Sequence, residues 1–391
     1  LEDIEEFGEA EKAYRNARRV SPNMVHGTAI LADYFARRDE WGQVDRVFEE
    51  AIEAARHDET RARLYMALGS VVARHNPDKA LRAAEEAIRL TPDAAPVYLG
   101  QARILAEAGR PAAALEALQT YLDRAETPAA AARALRVQLL TNLRRTDDAI
   151  AQARTAIEQH PKALGLRLQL AALLRSQGQV AQAREVAEAA HEALVEAEAA
   201  GGAPPDAQLR LAALLQALGE RQDAVGLLRT VADRTRGAMK REALLRLGSL
   251  YRTAGQWDAL ADVLRVGRED FPEEPSFWLL AADMHAARGQ GADALQAYEQ
   301  AFARAPDAPR VISTYFDALL RARAYDRLQE AADRAPLPAG NQPVLAAYKA
   351  AALAGGAQDF AAADEGFAEA LRAAEPEDVP QIARIAAMAY T

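Results

Sequence analysis

The groups able to do chemistry in this 391-residue chain are few and scattered. Its six imidazoles are His26, His57, His75, His160, His191 and His285, and no two stand in the His-x-His or i, i+4 spacing that lets ring nitrogens share a metal. With no cysteine there is no thiolate nucleophile, no disulfide and no sulfur-ligated zinc. The acidic pairs Glu49-Glu50, Glu85-Glu86 and Glu273-Glu274 are sequence neighbours. Adjacent residues on a helix point apart, so none forms a general acid–base pair unaided. Gly289-Gln290-Gly291 has no strand before it and reads as a turn between helices, not a phosphate cradle. Neither a Gly-x-Ser-x-Gly elbow nor a His-Glu-x-x-His zinc motif occurs. The sequence therefore predicts a non-catalytic chain without cofactor or metal.

Arginine, by contrast, is abundant: only five of the 47 basic residues are lysine. A formal charge of −10 nevertheless argues against a sequence-independent grip on nucleic acid, which rests on a positive surface releasing phosphate counterions. No uncharged apolar stretch reaches about 18 residues, so the fragment is not expected to insert into a membrane. Half of the residues are apolar but only 6% are aromatic, and no segment alternates Val, Ile, Thr or Tyr as a strand would. The elements that must position any functional arginine are thus helices. A chain of this length exceeds one ordinary core, which leaves several domains or a repeat array.

Internal periodicity decides for the array. Trp278, Ala281, Ala282, His285, Gly289, Ala294, Tyr298, Ala301 and Pro306 occupy positions 4, 7, 8, 11, 15, 20, 24, 27 and 32 of a unit opening at Pro275. Positions 4, 7, 8 and 11 follow the i, i+3, i+4, i+7 rule for one face of a helix, and 20, 24 and 27 mark a face of a second. Gly289 supplies the positive φ that ends the first helix, and Pro306 stops the second. The pattern resembles the tetratricopeptide repeat, a helical hairpin of about 34 residues. It recurs at Leu31, Ala32, Phe35; at Tyr65, Leu68, Gly69, Val72; at Tyr98, Ala102, Leu105, Gly109; at Leu170, Ala171, Leu174, Gly178; at Leu211, Ala212, Leu215, Gly219; and at Leu244, Leu247, Gly248, Tyr251, Gly255. A weaker copy places Arg133 at position 4, where an apolar residue is expected, and degraded copies follow at Ile312, Phe316, Leu319 and at Ala351, Phe367, Ala370. The resemblance implies an all-α, right-handed superhelical solenoid of about ten hairpins.

Departures from the period predict joints. Residues 1–22 read as the second helix of a partial repeat, with the natural protein extending upstream. The helix after Ala190 overruns toward Ala200 and breaks at Gly201-Gly202-Ala203-Pro204-Pro205, and a second breaker stands at Pro336-Leu337-Pro338-Ala339-Gly340. The expected organisation is 1–22, an N-terminal array 23–200, a middle array 201–336 and degraded repeats with a terminal helix in 337–391. In that last helix Val379, Ile382, Ile385 and Ala386 are placed to cap the final hairpin or begin another. Recurrence at one slot assigns Trp41 and Trp257 to packing, Trp278 is placed in the core, and His285 is read as a satisfied interior histidine.

The resemblance also implies that first helices line a concave groove through positions 2, 5, 6, 9, 12 and 13. These positions hold Arg63, Arg103, Gln138, Gln169, Arg175, Arg210, Arg246 and Arg252, with Leu99, Leu168, Leu209, Leu245 and Leu279 beside them. Such a basic, partly apolar stripe suits carboxylates, because a guanidinium donates two parallel hydrogen bonds while leucines add nonspecific area. Asp33, Glu242, Asp283 and Asp317 bring acidic positions toward the ends. The Lys and Asn set of a chaperone-tail carboxylate clamp is missing. The expected function is a scaffold for a protein or peptide partner, one of acidic character, with bacterial envelope assembly or polysaccharide export as its setting and the periplasm or cytoplasm as its compartment. The alternative is the substrate-binding or regulatory arm of a larger enzyme, glycosyltransferase-like or signalling. Self-association through exposed end faces is a third reading.

Overall fold

A computed structural model describes residues 12, 16, 24–199, 202–336 and 342–390. The expected partial repeat in 1–22 and most of the Pro336–Gly340 breaker therefore lie outside the described residues. Within them the chain is a succession of helical hairpins without a strand. It divides into two compact units, 1–203 and 204–391. The division falls inside the Gly201–Pro205 run.

The first unit contains the hairpins α1 (Met24–Ala36) and α2 (Trp41–Ala54), α3 (Asp58–Val72) and α4 (Pro77–Leu90), α5 (Ala95–Glu107) and α6 (Pro111–Arg124), α7 (Ala130–Asn142) and α8 (Thr146–Gln159), and α9 (Leu164–Ser176) and α10 (Val180–Ala199). The second unit contains α11 (Pro205–Leu218) and α12 (Arg221–Arg234), α13 (Gly237–Thr253) and α14 (Trp257–Asp270), α15 (Pro275–Ala287) and α16 (Gly291–Arg304), α17 (Pro309–Arg321) and α18 (Tyr325–Arg334), and α19 (Gln342–Ala352) and α20 (Phe360–Ala373). A π-turn, Leu353–Ala357, carries the Gly355-Gly356 insertion, and a lone helix α21 (Val379–Ala389) follows. The chain is an all-α helical-repeat solenoid. α10 runs to Ala199 because the Glu and Ala residues of this stretch favour helix.

Eight of the ten described hairpins turn at position 15 through a left-handed residue, glycine or not, the exceptions being the α3–α4 turn and the α19–α20 π-turn. Gly109, Gly178, Gly219, Gly255 and Gly289 have φ of 71°, 73°, 92°, 66° and 73°. Asp39, Arg144 and Arg323 fill the same slot at 58°, 60° and 55°, bearing a Cβ that glycine avoids. Turn geometry thus belongs to the hairpin, and glycine only makes it cheaper.

The core follows the small-residue pattern. Ala281, Ala282 and Ala301 are fully buried, as are Ala32, Ala84, Ala87, Ala114, Ala171 and Ala187. Position 3, which the repeat pattern passes over, is buried in every hairpin from the second to the ninth: Leu64, Val97, Ala132, Leu166, Ala207, Ala243, Phe277 and Val311. Position 4 is the shallower of the two at Tyr65, Tyr98, Arg133, Arg167 and Trp278, whereas Gln208, Leu244 and Ile312 are buried there too. Trp278, expected in the core, is only half-buried while its neighbour Phe277 is sealed. Gly267 makes the room, since a Cβ there would stand 2.4 Å from the Phe277 ring.

Arg133 and Arg167 are likewise half-buried at position 4, the Arg133 Nε being buried and Arg167 donating to the Pro161 carbonyl. Two arginines at position 30 fasten adjacent repeats there. Arg124 lies 4.6 Å over the Tyr98 ring and donates to the Pro92 carbonyl at 2.6 Å. Arg304 lies 4.5 Å over Trp278 and donates to the Pro272 carbonyl at 2.6 Å. In both cases the guanidinium closes on the carbonyl of the proline that ended the preceding hairpin, joining cation–π attraction to a charge-assisted hydrogen bond.

Candidate functional site

The groove positions lie on first helices and are held by the buried residues beside them. Position 8 sits against the next hairpin, at Gly69 and Gly248 so closely that a Cβ would meet Ile104 at 2.5 Å and Leu280 at 2.8 Å. Position 9, one residue on, is turned away from that contact.

In the first unit Arg103, Gln138 and Arg175 are exposed and Gln169 and Leu99 are half-buried. Leu168 is buried and offers no groove surface, a correction to the expected apolar stripe that follows from its packing within the hairpin. Arg63 is exposed but bonded along its own helix to Glu59 at 2.5 Å. Gln138 and Gln169 come together across α7 and α9 around a shallow pocket of about 300 Å³, which Thr141, Asn142, Ala172 and Ser176 help to line. The Gln169 amide donates to the Ala134 carbonyl at 3.2 Å, while its Oε1 is buried with no partner. Arg103 and Arg175 are not in the pocket wall, and their guanidinium groups bond to no described residue. Thr141, Asn142 and Ser176 stand at positions 12 and 13, so the position rule could have found them; arginine drew the reading instead.

In the second unit Arg210 is exposed, and its head also bonds to no described residue. Leu209 and Leu245 are half-buried beside it on successive first helices. Arg246 is engaged twice, donating to Glu242 at 2.6 Å and to the Leu209 carbonyl at 3.4 Å. Arg252 pairs with Asp283 at 3.5 Å. The expected continuous basic character is therefore reduced: Arg63, Arg246 and Arg252 already face carboxylates. Two of those acids, Glu242 and Asp283, are the groove acids themselves.

Asp283 also accepts from the Tyr298 hydroxyl at 3.1 Å. Burial, reinforced by the Asp283 charge, pushes that hydroxyl up to about 12, so it remains a donor at neutral pH. Asp317, in the equivalent slot of the next hairpin, is 9% exposed and accepts from Tyr348 at 2.7 Å. Burial and then Asp317 raise the Tyr348 hydroxyl further still. Arg384 of α21 closes on the same carboxylate at 2.7 and 3.2 Å. Neither Tyr348 nor Arg384 was visible as a groove residue, because their partner is a carboxylate more than 30 residues away in sequence.

His285, expected as an interior histidine, is half-buried with Nδ1 2.9 Å from Gln290 Oε1. Trp41 packs face to face on His75 at 3.9 Å. Among the described residues no group of three His, Asp or Glu side chains is placed to hold a metal, and no helix is long and apolar enough to cross a membrane.

Sequence profiles of the tetratricopeptide repeat match residues 65–134, 134–204 and 181–362. The chain belongs to the tetratricopeptide repeat family. No curated protein matches it in sequence. Among solved structures, human IFIT1 in a complex with Gppp-AAAA is 14% identical over 66% of this chain and 66% of that one, with a TM-score of 0.42. Pseudomonas aeruginosa PilF is 18% identical over 55% of this chain and 94% of its own, at 0.40. YrrB, described as a tetratricopeptide repeat protein with an unusual peptide-binding site, is 19% identical over 50% of this chain and 95% of its own, at 0.32. These likenesses concern helical-repeat architecture only. Family membership makes the chain a protein-interaction module of a generally non-catalytic kind.

Proposed function

We propose that this tetratricopeptide repeat protein is a non-catalytic scaffold that holds an acidic peptide or protein segment on its first-helix groove positions. The observation that carries the reading is that Arg103, Arg175 and Arg210 are exposed at those positions with no carboxylate partner among the described residues. A free guanidinium fork costs little to desolvate against a carboxylate and repays it with two charge-assisted bonds. The Gln138, Asn142 and Gln169 amides beside the pocket supply donors and acceptors for a peptide backbone. Arg63, Arg246 and Arg252, already neutralised, contribute less. A bacterial source and a setting in envelope assembly or polysaccharide export belong to the same proposal, on arginine-rich, lysine-poor composition alone.

Selection from a random-peptide library tests it. The unaltered chain should enrich Asp- and Glu-containing sequences, and the Arg103→Glu, Arg175→Glu, Arg210→Glu triple variant should lose that enrichment while keeping its helical circular-dichroism spectrum. The same acidic sequences recovered by both would remove the groove assignment.

A further inference from the structure

The last helix does not sit as a passive end cap. First helices such as α5, α9 and α17 lean chiefly on the second helix of the preceding hairpin. α21 instead lies mainly on α19 and reaches α17, two hairpins back, with only a minor seat on α20. It has moved toward the ladder of first helices, the side that carries the groove positions. Ile382 and Ile385 are fully buried in this seat. Arg384, one residue before Ile385, forks onto Asp317 at 2.7 and 3.2 Å, across 67 residues of sequence.

Asp317 stands at position 9 of its hairpin, the slot filled by Asp283 one repeat earlier. Asp283 is met by Arg252, at position 12 of the preceding first helix. The corresponding residue for Asp317 is Ala286, which offers no charge. Arg321, on Asp317's own helix, comes no nearer than 3.8 Å. Without α21 the Asp317 carboxylate would keep the Tyr348 hydroxyl at 2.7 Å and lack a close cation.

We propose that α21 is a resident ligand of the second unit's groove, and that the slot it fills accepts an arginine carried between isoleucines on an apolar helix. This rests on the reading of first-helix positions as a binding groove, and gives the Asp317 end of that groove a preference opposite in sign to Arg103, Arg175 and Arg210. A partner helix bearing the Ile-x-Arg-Ile pattern engages this end of the groove by displacing α21.

Two measurements on the full-length chain test the proposal: hydrogen exchange, and fluorescence anisotropy with a labelled synthetic peptide of residues 375–390. Arg384→Glu places two carboxylates together, so exchange across α21 should rise about ten-fold while α17 and α19 hold their rates. The peptide should bind the Arg384→Glu chain about ten-fold more tightly than the unaltered chain, whose slot is filled, and a peptide carrying the same Glu should gain nothing. If Arg384→Glu also releases α19, Arg384→Gln, which removes charge without repulsion, is read in its place. α21 exchanging in step with α17 and α19 in every variant, or a peptide that binds all chains equally, overturns the proposal. Either result leaves the acidic-peptide reading standing, since that is scored with a ligand of opposite charge and different residues.

Discussion

The middle of the first unit and the later hairpins of the second fill one helical slot with opposite charge. Position 9 reads Asp33, Ser70, Arg103, Gln138 and Ala172 on α1, α3, α5, α7 and α9, and Ala213, Ser249, Asp283 and Asp317 on α11, α13, α15 and α17. In the first unit Asp33 pairs with Arg37 of its own helix at 3.3 Å, while the Arg103 head bonds to no described residue. In the second, each carboxylate is met by an arginine and a tyrosine hydroxyl of the same chain. The hairpin scaffold tolerates the choice because position 9 lies beside the buried small residue at position 8, exposed at Arg103 and buried only at Asp317. Repeat architecture thus separates stability, written in positions 3, 8, 20 and 27, from recognition, written one residue away.

Core changes in the second unit should break this comparison most severely. Phe277→Ala empties a sealed site between α14 and α15 and should cost about 3–5 kcal/mol. Denaturant melts should register that loss while hydrogen exchange in α5–α9 stays as before, since a repeat array couples mainly nearest neighbours. Equal deprotection of α5–α9 would show that the units are not separable. Ala301→Trp, an overpacking of a fully buried site, should cost about 1–3 kcal/mol, and Ala282→Trp a similar amount. An unchanged melting temperature for both would contradict the repeat register.

Tyr298 sharpens the contrast through pH. Its hydroxyl is raised in the folded chain, from about 10 to about 12, so its contribution is complete below pH 10 and is lost as pH climbs through 12. At pH 11 the unaltered chain should have lost on the order of 1 kcal/mol that Tyr298→Phe does not lose. Parallel denaturant titrations of the two proteins between pH 8 and 11 read the difference; coincident pH profiles would deny Tyr298 its buried hydrogen bond to Asp283. The smallest effect has the opposite sign. Arg144→Gly in the first unit and Arg323→Gly in the second relieve a left-handed residue and should each stabilise by about 0.5–1 kcal/mol. A loss at either turn would mean that the side chain matters there more than the backbone.

Most of the fold was legible because its signals are local. The small residues at positions 8, 20 and 27, the position-15 turn and the closing prolines repeat often enough that single failures, such as Arg133, do not obscure them. The burial of position 3 was not legible, since its occupants range from Ala132 to Phe277 and share no type. For Phe277 the room comes from Gly267 on the hairpin before, which no spacing rule reveals. The site was legible in part. Helical spacing placed Arg103, Arg175 and Arg210 on first helices, but which arginines keep a free head depends on carboxylates such as Glu59 on the same helix and Asp283 on the next. Arg384 and Tyr348 reach Asp317 only through tertiary structure, and no spacing rule connects them. The stacking of Arg124 and Arg304 was likewise hidden, although both stand at position 30 and their recurrence is present in the sequence.

The most direct test of the central claim, that unpaired groove arginines select the ligand, is a reciprocal charge swap read by anisotropy. One labelled peptide carries Glu and its twin carries Arg at the same positions, and each is titrated into the unaltered chain and into Arg103→Glu, Arg175→Glu. The account predicts that the unaltered chain prefers the Glu peptide and that the variant reverses the order, each by about ten-fold or more. Identical preferences in the two proteins would contradict it.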